Sequence, residues 1–184
     1  MRVLIAGCGY LGTHLATELL RQGHTVVGLR RSSEAATSLA AAGIEPHLAD
    51  LAQPDFPPPP GPFDAVVYCA APGRDASIED YRAVYVDGLR HLLQFFTTQP
   101  PRKWVYTGST GVYHQNDGFL VKESSPAQAT SPTGRILLEA ENLLTQAAKT
   151  GFPAVILRLA GLYGPDRLPV MHRFIRNEVR LADQ

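Results

Sequence analysis

Gly7-Cys8-Gly9-Tyr10-Leu11-Gly12 is the stretch of this sequence whose residue types and spacing most directly imply chemistry. The pattern Gly-x-Gly-x-x-Gly follows at once on the apolar run Val3-Leu4-Ile5-Ala6 and opens an amphipathic helical stripe of Leu15, Ala16 and Leu19. Glycine-rich turns are common, but a buried strand, such a turn and a helix start in series set bare backbone amides before an anion. Gly7 permits the tight turn, Gly9 lets a diphosphate approach the backbone, and Gly12 lets the helix pack closely on the strand. The amides of Tyr10 and Leu11 lie in the same turn. The segment predicts a dinucleotide site.

The end of the next strand decides which dinucleotide. About 20 residues on, a site for the unphosphorylated ribose places a carboxylate that accepts from its hydroxyls. Here Arg30, Arg31 and Ser32 stand there instead. A carboxylate repels a 2′-phosphate, whereas a guanidinium binds one through two parallel hydrogen bonds and stacks on adenine. NADP(H) is the expected cofactor and NAD(H) the alternative.

Stepping along the chain, continuous apolar runs recur at Thr25-Val26-Val27-Gly28-Leu29, Ala65-Val66-Val67-Tyr68-Cys69, Trp104-Val105-Tyr106 and Ala154-Val155-Ile156-Leu157, with a weaker strand over residues 44–48. Unbroken runs suit parallel strands covered on both faces. Helical stripes alternate with them: Tyr81, Tyr85, Leu92 and Phe96, then Ile136, Ala140, Leu143, Leu144 and Ala147. The order predicts a doubly wound parallel α/β sheet of Rossmann type, strand order 3-2-1-4-5-6, with helices on both faces. Residues 53–62 hold six prolines and read as a stiff surface loop. Residues 116–132 form a polar loop that could lie over a site. A further amphipathic helix is expected over residues 171–181. The chain divides into a nucleotide-binding domain over residues 1–167 and the start of a further, substrate-binding part over 168–184, most of which the ending at Gln184 would leave out.

Composition bounds the partners. Seventeen basic residues balance seventeen acidic ones, which argues against nucleic acid or an anionic membrane held by bulk charge. No apolar stretch approaches the ~20 residues of a membrane helix. The two cysteines, Cys8 and Cys69, form no Cys-x-x-Cys pair and read as reduced residues of a cytoplasmic protein. The six histidines show no metal-ligand spacing, so no metal is expected.

These motifs together resemble the extended and atypical short-chain dehydrogenases/reductases, and within them the NAD-dependent epimerase/dehydratase group. The likeness runs from Met1 to about Arg167. It implies that Asp50 and Leu51 contact the adenine ring and that Ala70, Ala71 and Pro72 lie against the cofactor. Tyr81-Arg82-Ala83-Val84-Tyr85-Val86-Asp87-Gly88 resembles a helix in which Tyr85 replaces the usual asparagine. By the same resemblance Ser109 is the hydroxyl that hydrogen-bonds substrate, with Thr107 near the nicotinamide and Leu162 in the loop beside it. The implied substrate is a small molecule, a sugar nucleotide or a carbonyl compound, and the implied assembly is a homodimer through the helices near residues 81–96 and 135–148.

One departure bears on activity. The family's Tyr-x-x-x-Lys pair, in which the lysine lowers the pKa of a phenol that is a poor base near 10, falls on Thr133 and Leu137. The three lysines, Lys103, Lys122 and Lys149, have Gln99, Gly118 and Thr145 four residues before them, so the pair is not displaced elsewhere. Tyr113, Tyr163 and Arg135 are the candidate replacements, with no role assigned to any. The expected function is that of an atypical oxidoreductase, the alternatives being a non-catalytic NADP(H)-binding or redox-sensing protein and a truncated, inactive form.

Overall fold

Apolar strands without alternation need cover on both faces, and the computed structural model provides it. It describes residues 1–73, 75–115, 118–165, 167, 168, 175 and 176. Six parallel strands, β1 (Arg2–Ala6), β2 (Thr25–Arg30), β3 (Glu45–Leu48), β4 (Ala65–Tyr68), β5 (Lys103–Ser109) and β6 (Ala154–Leu159), form one sheet in the order β3-β2-β1-β4-β5-β6. β1 lies between β2 and β4, in register Ala6 with Leu29 on one side and Ala6 with Tyr68 on the other. Strand order therefore reverses at β1, and the turns after β1 and β4 diverge to leave a crevice.

Helices α1 (Tyr10–Arg21) and α2 (Ser33–Ala41) follow β1 and β2. Helices α3 (Ile78–Arg82) and α4 (Leu89–Phe95) bracket a π-helical segment, Ala83–Gly88, and α5 (Pro132–Lys149) precedes β6. Two cores result. Leu4, Val66, Tyr68, Trp104, Tyr106, Leu89, Leu92 and Leu144 pack on one face of the sheet. Val3, Ile5, Val26, Leu39 and Ile44 pack on the other.

Local chemistry explains where the structure differs from the sequence pattern. Ile44 is fully buried but precedes β3, where the chain leaves α2 through Gly43 at φ 77°. Cys69 lies just past β4, and β5 runs three residues beyond Tyr106 because Thr107, Gly108 and Ser109 pair with Leu157, Arg158 and Leu159. Helix α2 carries no strong apolar stripe. It is fixed by the Ser32 hydroxyl, which accepts from the Ala35 amide at 3.3 Å, and by Leu39 alone among its buried residues. The single stripe expected over residues 81–96 is interrupted: the Tyr68 hydroxyl donates to the Val84 carbonyl at 2.5 Å, the acceptor that the Gly88 amide four residues on would otherwise use. A side chain inserted into the ladder widens the turn. Pro132, expected to close the polar loop, is the first residue of α5, where its missing N–H costs nothing. The expected helix over residues 171–181 falls almost wholly outside the described residues.

Gly7 and Gly23 both have positive φ, 84° and 78°. A Cβ on Gly7 would overlap the Ala70 backbone, whereas one on Gly23 would meet nothing within 4 Å. Gly23→Ala is expected to cost about 1 kcal/mol through backbone strain alone. Gly7→Ala adds the overlap and is expected to cost about 3 kcal/mol or more. Equal shifts of the two variants in urea unfolding would contradict this.

Candidate functional site

At the carboxyl ends of the strands lies a cavity of about 750 Å³. Gly7, Gly9, Tyr10 and Leu11 line it from the glycine turn, Arg30, Arg31 and Ser32 from the end of β2, and Asp50 and Leu51 from the turn after β3. Ala70, Ala71 and Pro72 line it from the turn after β4, Thr107 and Ser109 from β5, and Leu162 from the loop after β6. Gly12 does not line it. A Cβ there would come within 2.9 Å of Ile5 Cγ2 and 3.0 Å of the Gly7 carbonyl, so this glycine sets how closely α1 sits on β1.

Among the helices that start from a loop, α2, α3 and α5 are each capped by a serine hydroxyl, from Ser32, Ser77 and Ser131. Helix α1 starts at Gly9 with no side-chain cap and no acidic residue in its first turn. Its opening amides therefore meet no acceptor of their own helix, and the positive end of the dipole faces the cavity. Within 4 Å a Cβ on Gly9 would meet only Arg30 Nη1 at 3.4 Å and the Gly7 carbonyl oxygen at 3.9 Å. The cradle fits an extended diphosphate.

Arg30 lies back over this turn, its Nη1 donating to the Cys8 carbonyl at 2.9 Å. Arg31 beside it is exposed. Asp50 turns its carboxylate to its own backbone, accepting from the Ala52 amide at 3.1 Å. Thr107 donates to the Tyr68 carbonyl at 3.0 Å, tying β5 to β4 behind the cavity. Ser109 Oγ accepts from the Gly111 amide at 3.1 Å. That bond forms the turn after β5 and leaves the hydroxyl proton for another acceptor.

The pair expected at the start of α5 is absent in space as well as in type. Leu137 is buried, Thr133 faces Ser131 with 3.4 Å between their hydroxyl oxygens, and neither lines the cavity. Nor do the three candidate replacements. Tyr163 is 82% exposed, and Arg135 donates to the Thr130 carbonyl. Tyr113 donates to the Lys122 carbonyl and accepts from Arg158 Nη1 at 2.7 Å in a second, adjoining cavity.

Several lining residues were not named as site residues from the sequence, Tyr85 and Arg167 among them, and Cys69 was placed only as the first residue of the alanine-rich turn. Tyr85 reaches the cavity from the π-helical segment, and burial pushes its phenol up to about 12, with Tyr81 adding to the effect. Cys69 lines it too, and burial pushes its thiol up to about 11 although the Thr107 hydroxyl pulls the other way. Arg167 lines it from beyond β6. Tyr85 and Cys69 fall in a helical stripe and an apolar run that signal packing and not a site, and a basic residue just past Gly164-Pro165 was the visible signal for Arg167. Among the described residues no group of His, Cys, Asp or Glu could hold a metal ion, and no helix is long and apolar enough to cross a membrane.

The family model for the NAD dependent epimerase/dehydratase family matches residues 3–181. The chain belongs to that family. It is 30% identical over 173 residues to protein YeeZ of Escherichia coli K12, covering 91% of this chain and 61% of that one. A solved structure from Methylobacillus flagellatus, described as a candidate NAD-dependent epimerase/dehydratase, is 34% identical with a TM-score of 0.71, covering 94% of this chain and 58% of the other. A short-chain dehydrogenase/reductase superfamily protein from Agrobacterium tumefaciens, solved with bound NAD, is 29% identical with a TM-score of 0.71, covering 86% and 48%. The chain thus spans about three fifths of the YeeZ relative's length. The family and this NAD-bound neighbour support a nicotinamide-nucleotide cofactor.

Behind the site, Arg158 and the buried Glu141 share hydrogen bonds of 3.0, 3.2 and 2.8 Å, binding β6 to α5. The Arg158 side chain retains 25% exposure and Glu141 only 5%. Removing the arginine strands the more deeply buried charge, so Arg158→Met is expected to cost about 3–5 kcal/mol and Glu141→Met clearly less. Chemical denaturation of the two variants checks the order. A Cys69 thiol held near 11 instead of 9.0 carries about 100-fold less thiolate at pH 8. Iodoacetamide is expected to label it correspondingly more slowly in the native protein than in urea, and equal rates would refute the shift.

Proposed function

We propose that this chain is the nucleotide-binding part of an atypical oxidoreductase of the epimerase/dehydratase type that prefers NADP(H). The observation that carries the preference is the end of β2, where Arg30, Arg31 and Ser32 form one rim of the cavity. Among the described residues no carboxylate belongs to the end of β2 to accept from a ribose hydroxyl pair. Arg30 spends Nη1 on the Cys8 carbonyl, and a guanidinium has five donors, so its remaining N–H groups can meet a 2′-phosphate without releasing the turn. Ser32 keeps its hydroxyl proton while its oxygen caps α2.

In this reading Gly7, Gly9, Tyr10 and Leu11 seat the diphosphate, and Gly12 sets the depth of the cradle. Asp50 and Leu51 border the adenine, and Ala70, Ala71 and Pro72 lie along the nucleotide. Thr107 and Leu162 flank the nicotinamide. The nicotinamide supplies hydride chemistry when bound. Ser109 then offers its hydroxyl proton to an oxygen of the substrate, a sugar nucleotide or a small carbonyl compound. Leu51, Cys69 and Val84 add apolar lining to the same cavity.

A non-catalytic NADP(H)-binding role is the second reading. The burial of Leu137 and the absence of Thr133 from the cavity wall favour it, because an apolar side chain stands at the position of the lysine in the Tyr-x-x-x-Lys pair. Turnover of NADPH with a panel of sugar nucleotides and small carbonyls separates the two.

The preference itself is tested by titration. Charged hydrogen bonds contribute about 1.5–3 kcal/mol each, so NADPH is expected to bind at least about 10-fold tighter than NADH. Arg30→Asp is expected to invert the order. NADPH binding no tighter than NADH, or an unchanged ratio in the variant, would overturn the assignment.

A further inference from the structure

Beyond β6 the chain turns back on itself. Gly164 and Arg167 exchange two backbone hydrogen bonds of 3.0 Å each. The Arg167 side chain is then anchored twice: Nε donates to the Leu162 carbonyl at 3.2 Å, and the guanidinium lies 5.2 Å from the centre of the Tyr10 ring. Tyr10 is the first residue of α1, so this cation is parked over the uncapped helix start, on the cavity's wall. Its two terminal nitrogens have no hydrogen-bond partner among the described residues, and no carboxylate among them pairs with it.

We propose that Arg167 is a second anion-binding group of the cleft, meeting the diphosphate of the dinucleotide beside the α1 amides. The inference rests on the dinucleotide reading of the cavity but not on the preference for NADP(H). A helix start offers about half a unit charge, which only partly balances a diphosphate's two. A guanidinium with two free terminal nitrogens supplies a full charge and the fork geometry that oxygens of a phosphate accept. The Tyr10 ring holds that fork in place before any ligand arrives, so less side-chain freedom is lost on binding. Arg30 is separate in position and partner. It lies at the β2 end on the Cys8 carbonyl, whereas Arg167 belongs to the strap after β6.

A diphosphate also occurs in nucleotide sugars, and the experiment distinguishes the two sources. The 184-residue chain and its Arg167→Gln and Arg167→Lys variants are titrated by calorimetry with NADPH, NADH, adenosine 2′,5′-bisphosphate and uridine diphosphate. Arg167→Gln is expected to weaken NADPH and NADH by the same factor, about 10- to 100-fold. It should leave adenosine 2′,5′-bisphosphate, which lacks the diphosphate bridge, within twofold. Arg167→Lys should recover part of the loss, which a merely structural role for the side chain would not predict. Both dinucleotides binding Arg167→Gln within twofold of the unaltered chain, an equal loss for adenosine 2′,5′-bisphosphate, or a loss confined to uridine diphosphate would each overturn the proposal. Equal affinity of the unaltered chain for NADPH and NADH, with both weakened in Arg167→Gln, would overturn the NADP(H) preference alone. Binding of neither dinucleotide to the unaltered chain would overturn both.

Discussion

Gly7 has no room for a side chain, because the Ala70 backbone occupies the space that a Cβ would take. This contact joins the turns after two neighbouring parallel strands at the point where strand order reverses. It requires φ of 84° at Gly7, turns the chain sharply out of β1, and delivers Gly9 and the start of α1 to the mouth of the crevice. Gly12, pressed on Ile5, then fixes how deep the helix sits. The cavity exists because two glycines remove atoms at two successive layers of packing, and the uncapped amides face it as a result. A larger residue at either place would separate the helix from the sheet and carry the amides away from the crevice.

A second arrangement follows from Tyr68. Its ring is in the core beside Tyr106, and its hydroxyl needs an acceptor that the sheet does not supply. It takes the Val84 carbonyl, and the helix widens to accommodate it. Buried polar groups seek partners even at the expense of regular ladders. The widened segment brings Tyr85 and Val84 to the cavity wall. The same physical need that satisfies one tyrosine in the core thus presents another to the site, from a segment that packs against α5, although α5 itself does not line the cavity.

The fold was legible because its signals were local and redundant. Unbroken apolar runs marked the strands, glycine and proline marked several of the ends, and the alternation of elements left few topologies. Helix α2 was harder to see because a serine cap, more than a stripe, holds it. The interruption at Ala83–Gly88 had no local signal at all, since its cause, Tyr68, lies sixteen residues away from Val84. The site divides in the same way. Residues placed in the cavity by motif, from Gly7 to Leu162, lie at the carboxyl ends of strands or shortly after them, where spacing along the chain translates into position. Tyr85 comes from a helix distorted from a distance, and Arg167 from a strap whose course depends on Gly164 and Tyr10.

Charge completes the relation between sequence and cleft. The whole chain is balanced, seventeen cations against seventeen anions, and bulk composition accordingly argued for no anionic polymer as partner. Within the cavity wall the balance is broken: among the described residues Arg30, Arg31 and Arg167 line it against the one carboxylate of Asp50, which is turned to its own backbone. Low-dielectric walls concentrate such a field where exposed charges elsewhere are screened within about 10 Å. The excess sits where uncapped helix amides point, so side chains and backbone present the same sign to one crevice. A neutral protein can therefore select a small polyanion by the placement of a few cations. Its glycines make that placement effective, because they let the backbone come near enough for each charge to count.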